Sequence, residues 1–246
     1  MIERIQTGHR PSLPTTIGII TGSGPEAGID LWDKLLQASR KIQGNHFRGD
    51  LDAPNVTILS EPLLGLSMDL AENHDAVWRC LSKAVLEIAR RVDYYAIACN
   101  TLNYYQPQLD AWNLPTKLIS FADVALEYLH ENDIPRIALL GAKPVTDLGP
   151  WSHYRKLVGQ VEIELPDPEH AAQLHQLIHD VKTFGAHSPE IQARFQEIVD
   201  ALKSDTVLLA CTELPLIPIK SERSTLVDVT QLVADKLAQL SQTAHS

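Results

Sequence analysis

Cysteine is the residue type in this chain best suited to moving a proton on and off carbon, and two of the three cysteines stand in matched settings. Cys99 opens the triplet Cys99-Asn100-Thr101, and Cys211 opens Cys211-Thr212-Glu213. Each follows a short apolar run, Tyr94 to Ala98 and Val207 to Ala210, of the kind that forms a strand buried on both faces. Inverting a stereocentre requires one group to take a proton from one face of a carbon and a second to return one to the other face. A thiolate and a thiol on opposite sides of a substrate meet that need, exchanging roles between the two directions. A modest shift from the ordinary cysteine pKa of about 8.5 makes both forms accessible near neutral pH. Asn100, Thr101 and Thr212 offer hydrogen bonds to a substrate carboxylate, where negative charge builds as the proton leaves. The third cysteine, Cys80, lies inside an amphipathic helical pattern and reads as a core side chain.

Other residues invite other chemistry. Gly22-Ser23-Gly24 follows an apolar strand and could cradle an anion, or the phosphates of a dinucleotide. The third glycine of that fingerprint comes at Gly28, one residue later than it requires, and Glu61 stands where a ribose-binding acid would. His175 and His179 lie four apart on one helical face with His170 nearby, but no Glu-x-x-His or cysteine pair completes a metal site, so they read as a solvated face. Ser23 lacks the Gly-x-Ser-x-Gly elbow of a hydrolase. The reading that remains needs neither metal nor cofactor.

The elements that must position these residues alternate along the chain. Strands are expected at 16–21, 56–59, 94–98, 117–121, 136–141, 161–165, 207–210 and 226–229. Helices are expected from Pro25, over 75–91, after a cap at Asp123, near 168–182 and 188–203, and over 230–240. Alternation of this kind predicts α/β architecture with mostly parallel sheets covered by helices, and the two strand-to-cysteine junctions point to two similar units facing each other. The 246 residues suffice for one large domain or two small ones, and three cysteines are too few for a disulfide framework. A formal net charge of −10 argues against nucleic acid as a partner. No run has the length of a signal peptide or a membrane span, so the expected address is the cytoplasm and the expected partner a small molecule.

At these residues the chain resembles the aspartate/glutamate racemase family. Ile17-Gly18-Ile19-Ile20-Thr21-Gly22-Ser23-Gly24-Pro25 is similar to that family's opening strand and glycine turn, Ala98-Cys99-Asn100-Thr101 to its first cysteine motif, and Ala210-Cys211-Thr212-Glu213-Leu214-Pro215 to its second. The likeness runs from about residue 16 to the C-terminus. It implies two pseudo-symmetric α/β domains with the active site in the cleft between them: residues 15–117 plus 225–246, and residues 118–224, after a tail at 1–14. It also implies cofactor-independent racemisation with Cys99 and Cys211 as the two bases, a substrate held by Gly22, Ser23, Gly24, Asn100, Thr101, Thr212 and Glu213, and a homodimer. Lys182 resembles a family lysine that contacts substrate.

Three features depart from the family pattern. Members acting on aspartate carry an arginine after the second strand, where this chain has Ser67, so a two-pronged grip on a side-chain carboxylate is missing there. Ser23 precedes Gly24 where a larger residue is usual, and Thr146 stands alone where the family has paired threonines. The resemblance therefore leaves open a related two-cysteine isomerase or decarboxylase of another small acid, and a non-catalytic protein that binds a small acid.

Overall fold

The computed structural model describes residues 15–242; the expected tail at 1–14 and the last four residues lie outside them. The first half runs β1 (Thr16–Thr21), α1 (Pro25–Gln43), β2 (Asn55–Ser60), α2 (Leu70–Ile88), β3 (Tyr94–Ile97), α3 (Gln106–Asp110), β4 (Lys117–Leu118) and α4 (Phe121–Glu131). The second runs β5 (Arg136–Leu140), α5 (Lys143–Thr146), β6 (Glu162–Glu164), α6 (Pro168–Phe184), α7 (Pro189–Ala201), β7 (Thr206–Leu209), β8 (Thr225–Asp228) and α8 (Val229–Ser241). Every strand pair is parallel, and the sheets have the orders β2-β1-β3-β4 and β6-β5-β7-β8, the same topology twice.

Strand alternation divides the apolar side chains into three layers. Ile17, Ile19, Ala96 and Ala98 of the first sheet and Ile137, Leu139, Leu208 and Ala210 of the second belong to one shared core, roofed by α4 and α8. The opposite strand faces form two outer layers: Ile20, Tyr95 and Ile97 against α2, and Ala138, Leu140, Val207 and Leu209 against α6 and α7. A core that spans both sheets holds the halves in a fixed relation, which two sulfur atoms acting on one molecule would require.

Three expectations need correction. Placing residues 225–246 in the first half misplaces β8, which extends the second sheet beside β7 and buries Val227 in the shared core. Only α8 crosses back, to pack on α1 and α4. The strand expected over 117–121 is confined to Lys117–Leu118, because Ser120 already caps α4 by accepting the Asp123 N–H at 3.3 Å. Asp123 is thus not the cap but a first-turn residue, bound by Gln106 and Lys156.

Candidate active site

In a parallel sheet of order 2-1-3-4, chain connections leave in opposite directions from the first and third strands, opening a crevice beyond their carboxyl ends. This molecule has two such points, and a cysteine lies just past each: Cys99 after β3 and Cys211 after β7. Their backbones match in detail. The Ala98 N–H donates to the Ile20 carbonyl at 2.8 Å, and the Ala210 N–H donates to the Leu140 carbonyl at 2.7 Å. The two sulfurs follow opposite outer layers of the fold, Cys99 with the first half's and Cys211 with the second's, and both are nearly buried, 9% and 6% exposed. What joins them is the polar ground beyond the strand ends: the Thr212 hydroxyl oxygen, beside Cys211, lies 3.5 Å from the carbonyl oxygen of Ala98, beside Cys99.

The groups hydrogen-bonded around Cys99 are uncharged. Ser67 lies 3.7 Å from the Cys99 sulfur and 2.9 Å from the Ser23 hydroxyl. Ser67 therefore does occupy a place at the site, although it brings no charge. Asn103, fully buried, donates to the carbonyls of Cys99 at 2.9 Å and Ile97 at 3.3 Å, and its own carbonyl accepts the Phe121 N–H at 3.1 Å. That side chain ties the cysteine turn to the start of α4. Tyr154, from the second half, donates its hydroxyl proton to the Asn100 carbonyl oxygen at 2.5 Å. Asn100 is left with a buried amide nitrogen that has no partner. An unpaired buried N–H group costs roughly 1–3 kcal/mol, a penalty a bound acceptor would remove.

The Cys211 side is built from charges. The Cys211 thiol donates to Glu213 Oε2 at 3.0 Å, and the Thr212 hydroxyl donates to the same oxygen at 3.2 Å. The other carboxylate oxygen of Glu213 pairs with the Lys182 ammonium, which also donates to the Ser23 carbonyl. Burial, then the Glu213 carboxylate, push the Cys211 thiol well above its ordinary range. Burial works against the charge on Lys182, but the opposing charges of Glu213, Cys99 and Cys211 hold its pKa above the usual lysine value. Lys182 therefore lies within electrostatic reach of both sulfurs.

The glycine turn makes this arrangement possible. Gly24 has φ +143°, and a Cβ there would sit 2.2 Å from Glu213 Oε1 and 3.1 Å from Lys182 Nζ. Gly22, at φ +115°, would place a Cβ 2.3 Å from the Glu61 carbonyl oxygen. Only glycine tolerates both the angle and the approach. Beyond the Lys182–Glu213 pair opens a cleft of about 370 Å³ lined by Gly24, Glu26, Asp30, Lys182, His187 and Glu213, among others.

The structure thus gathers Gly22, Ser23, Gly24, Cys99, Asn100, Thr212, Glu213, Lys182 and Cys211, with Thr101 buried at the start of the turn after Cys99. Tyr154 and Asn103 belong with them and carry no local signal, since each is recognised only by the distant backbone or amide it meets. The other candidates fall elsewhere. Glu61 caps the turn after β2 by accepting the Leu63 N–H at 3.4 Å. Gly28 lies inside α1, where a Cβ would meet Thr21 Oγ1 at 2.3 Å. His175 and His179 stack edge to face on α6, and among the described residues no group of three His, Cys, Asp or Glu side chains is placed to hold a metal. Cys80 is half-buried in α2. No helix among the described residues is long and apolar enough to cross a membrane.

Comparison with known proteins agrees with this fold. The chain is 26% identical over 205 residues to the broad-specificity amino-acid racemase RacX of Bacillus subtilis, covering 80% of this chain and 85% of RacX. Its fold matches the aspartate racemase of Picrophilus torridus (TM-score 0.76, 19% identity, 92% of this chain and 94% of that one). It also matches an aspartate racemase homologue from Pyrococcus horikoshii (TM-score 0.73, 22% identity, 93% and 100%). The family model for Asp/Glu/hydantoin racemases matches residues 20–237, from the end of β1 into α8 and across both cysteine motifs. The chain belongs to the Asp/Glu/hydantoin racemase family and is an isomerase.

Proposed function

We propose that the protein racemises an amino acid without a cofactor, by passing a proton between Cys99 and Cys211. The observation that carries this reading is the pairing of two cysteines at equivalent ends of two sheets of the same topology, with the Thr212 hydroxyl beside one lying 3.5 Å from the Ala98 carbonyl beside the other. The relationship to RacX, named a broad-specificity amino-acid racemase, supports an amino acid as substrate. A thiolate on one side takes the α-proton, forming an S–H bond as the C–H bond breaks. The thiol on the other side returns a proton to the opposite face and becomes the thiolate that starts the reverse passage. Burial and the Glu213 carboxylate raise the Cys211 pKa, which suits that sulfur to the proton-donating role. Asn100, Thr101 and Thr212 hold the α-carboxylate, where the unpartnered Asn100 amide gains an acceptor as charge builds. Gly22, Ser23 and Gly24 shape the opposite wall, and Lys182 with Glu213 sets the local charge.

In this reading the enzyme works in the cytoplasm as a homodimer. Exposed Ile29 and Trp32 on α1, with Leu63 and Leu66 after the edge strand β2, offer apolar surface to a second copy. The test is α-proton exchange in heavy water for L- and D-amino acids, followed by NMR with circular dichroism for inversion. Exchange with inversion is expected, whereas no exchange from any amino acid at high enzyme concentration overturns the proposal. Because Ser67 stands in place of an arginine, the same screen extends to maleate, hydantoins and arylmalonates. Turnover confined to those compounds would replace racemisation with another two-cysteine reaction.

A further inference from the structure

The Cys99 sulfur belongs, with Ile20, Leu64, Ile97 and Leu102, to the first half's outer apolar layer. Burial of this kind disfavours the charged form of a thiol, and a donated hydrogen bond favours it. Among the described residues, the side chain hydrogen-bonded to the Cys99 sulfur is Ser67, at 3.7 Å. Ser67 is 1% exposed and lies 2.9 Å from the Ser23 hydroxyl, itself 3% exposed. Ser67, Ser23 and Cys99 come from the turns that follow β2, β1 and β3, which are neighbours in the sheet. Leu64 in the first half's outer layer and Met68 in the second half's fix the chain on both sides of Ser67. Its hydroxyl is therefore held against the sulfur by packing.

Counting protons gives the direction of each bond. A thiolate only accepts, so the Ser67 hydroxyl then donates to the sulfur and its oxygen accepts the Ser23 proton. A thiol has a proton to give, so the chain reverses: Cys99 donates to Ser67, and Ser67 donates to Ser23. Each hydrogen stays on its own oxygen and the hydroxyls turn about their C–O bonds, so the same two serines serve both states of the sulfur. Resting on the racemase reading, we infer that Ser67 is the donor that stabilises the Cys99 thiolate, with Ser23 completing a chain that turns round when the sulfur takes the α-proton. Other ionisable groups near this turn act separately. Lys182, on α6, is in electrostatic reach of Cys99 and is bound by Glu213 and the Ser23 carbonyl. Tyr154, from the second half, gives its proton to Asn100. Lys182, Glu213 and Tyr154 keep these partners when a serine hydroxyl is removed.

The experiment follows thiolate formation by ultraviolet absorbance against pH in a Cys80→Ser, Cys211→Ser protein, where Cys99 is the one thiol left. Subtracting the matching protein with Cys99→Ser isolates its signal. Ser67→Ala in this background should move the midpoint up by about one pH unit, a change of about tenfold in the ratio of thiol to thiolate. Ser67→Thr, which keeps the hydroxyl, should restore the midpoint. Ser23→Ala should leave it in place or lower it, because the Ser67 proton then has the sulfur as its remaining partner. With both Cys99 and Cys211 present, Ser67→Ala should cost kcat/KM about tenfold on the acid side of the pH profile and recover as pH rises. A purely structural role would cost the same at every pH. If Ser67→Ala does not fold, Ser67→Gly removes the same hydroxyl. A midpoint unmoved by loss of the Ser67 hydroxyl, or raised as far by Ser23→Ala, overturns the inference. The titration needs no substrate, so it judges this hydrogen bond separately from the racemase proposal, which falls if no amino acid is turned over.

Discussion

Cys99 and Cys211 occupy the same position in two copies of one topology, yet their neighbours differ in kind. The groups hydrogen-bonded around Cys99 are neutral: two serine hydroxyls, an asparagine that anchors the turn, and a tyrosine that holds a second asparagine. Around Cys211 they are a carboxylate and an ammonium in direct contact. The backbone repeats because both strands face the same packing problem, burial on both faces within a parallel sheet. The difference in side chains suits the proposed two-base reaction, which needs one thiol and one thiolate at each moment. Burial, and then the Glu213 carboxylate, raise the pKa of Cys211 and so favour its thiol form.

The sharpest test of the comparison removes one sulfur at a time. Cys99→Ser and Cys211→Ser should each lower racemisation by about 10³-fold or more, within the usual range of a lost proton-transfer group. Each should still exchange the α-proton of one enantiomer, and the spared enantiomer should differ between the two, as followed by NMR in heavy water. If both variants spare the same enantiomer, the sulfurs do not stand on opposite faces of the substrate.

A smaller effect is expected at the contact between the halves. Tyr154→Phe removes the donor that holds the Asn100 carbonyl oxygen, so the amide is free to turn its N–H groups away from a carboxylate. We expect kcat/KM to fall about tenfold, mainly through KM, on the scale of one hydrogen bond of about 1.5 kcal/mol. In an Asn100→Ala background the same change should add little, because the two residues act as a unit. Independent, additive losses would mean that Tyr154 serves packing alone.

The smallest effect concerns the neutral scaffold behind Cys99. Asn103 holds the start of α4, whose cap Ser120 lies 2.6 Å from His153 Nε2. Burial, then Lys156, push the His153 pKa down to about 3 against the opposing pull of Asp123. Between about pH 6.5 and 3 the unfolded imidazole therefore takes a proton that the folded one refuses, so stability falls as pH falls through that window. The slope from this residue is at most about 1.4 kcal/mol per pH unit. His153→Gln keeps a polar partner for Ser120 and does not titrate. Its denaturant-unfolding free energy should decline less steeply than that of the wild type from pH 6.5 down to pH 4, and equal slopes would remove His153 from the account.

Sequence was sufficient for features that depend on what lies next along the chain. An apolar strand that ends in a cysteine and a hydrogen-bonding residue can be read directly, so both cysteines, the glycine turn and the repeating α/β order were legible before any coordinates. The strand Thr225–Asp228 shows the limit. Its pattern announces a strand, but which sheet it joins depends on whether β7 or an edge of the first sheet lies beside it, and β7 does. Tyr154 and Asn103 show the same limit at the site, because each matters through a partner 54 or 18 residues away.

What the sequence by itself determined is the repeated strand–turn grammar and the residue types able to carry a proton, since both follow from local periodicity and side-chain chemistry. Only the tertiary structure decided that Lys182, on a helix of the second half, would spend its charge on Glu213 and the first half's Ser23. Electrostatic energy depends on distance in space, and no spacing along a chain records it.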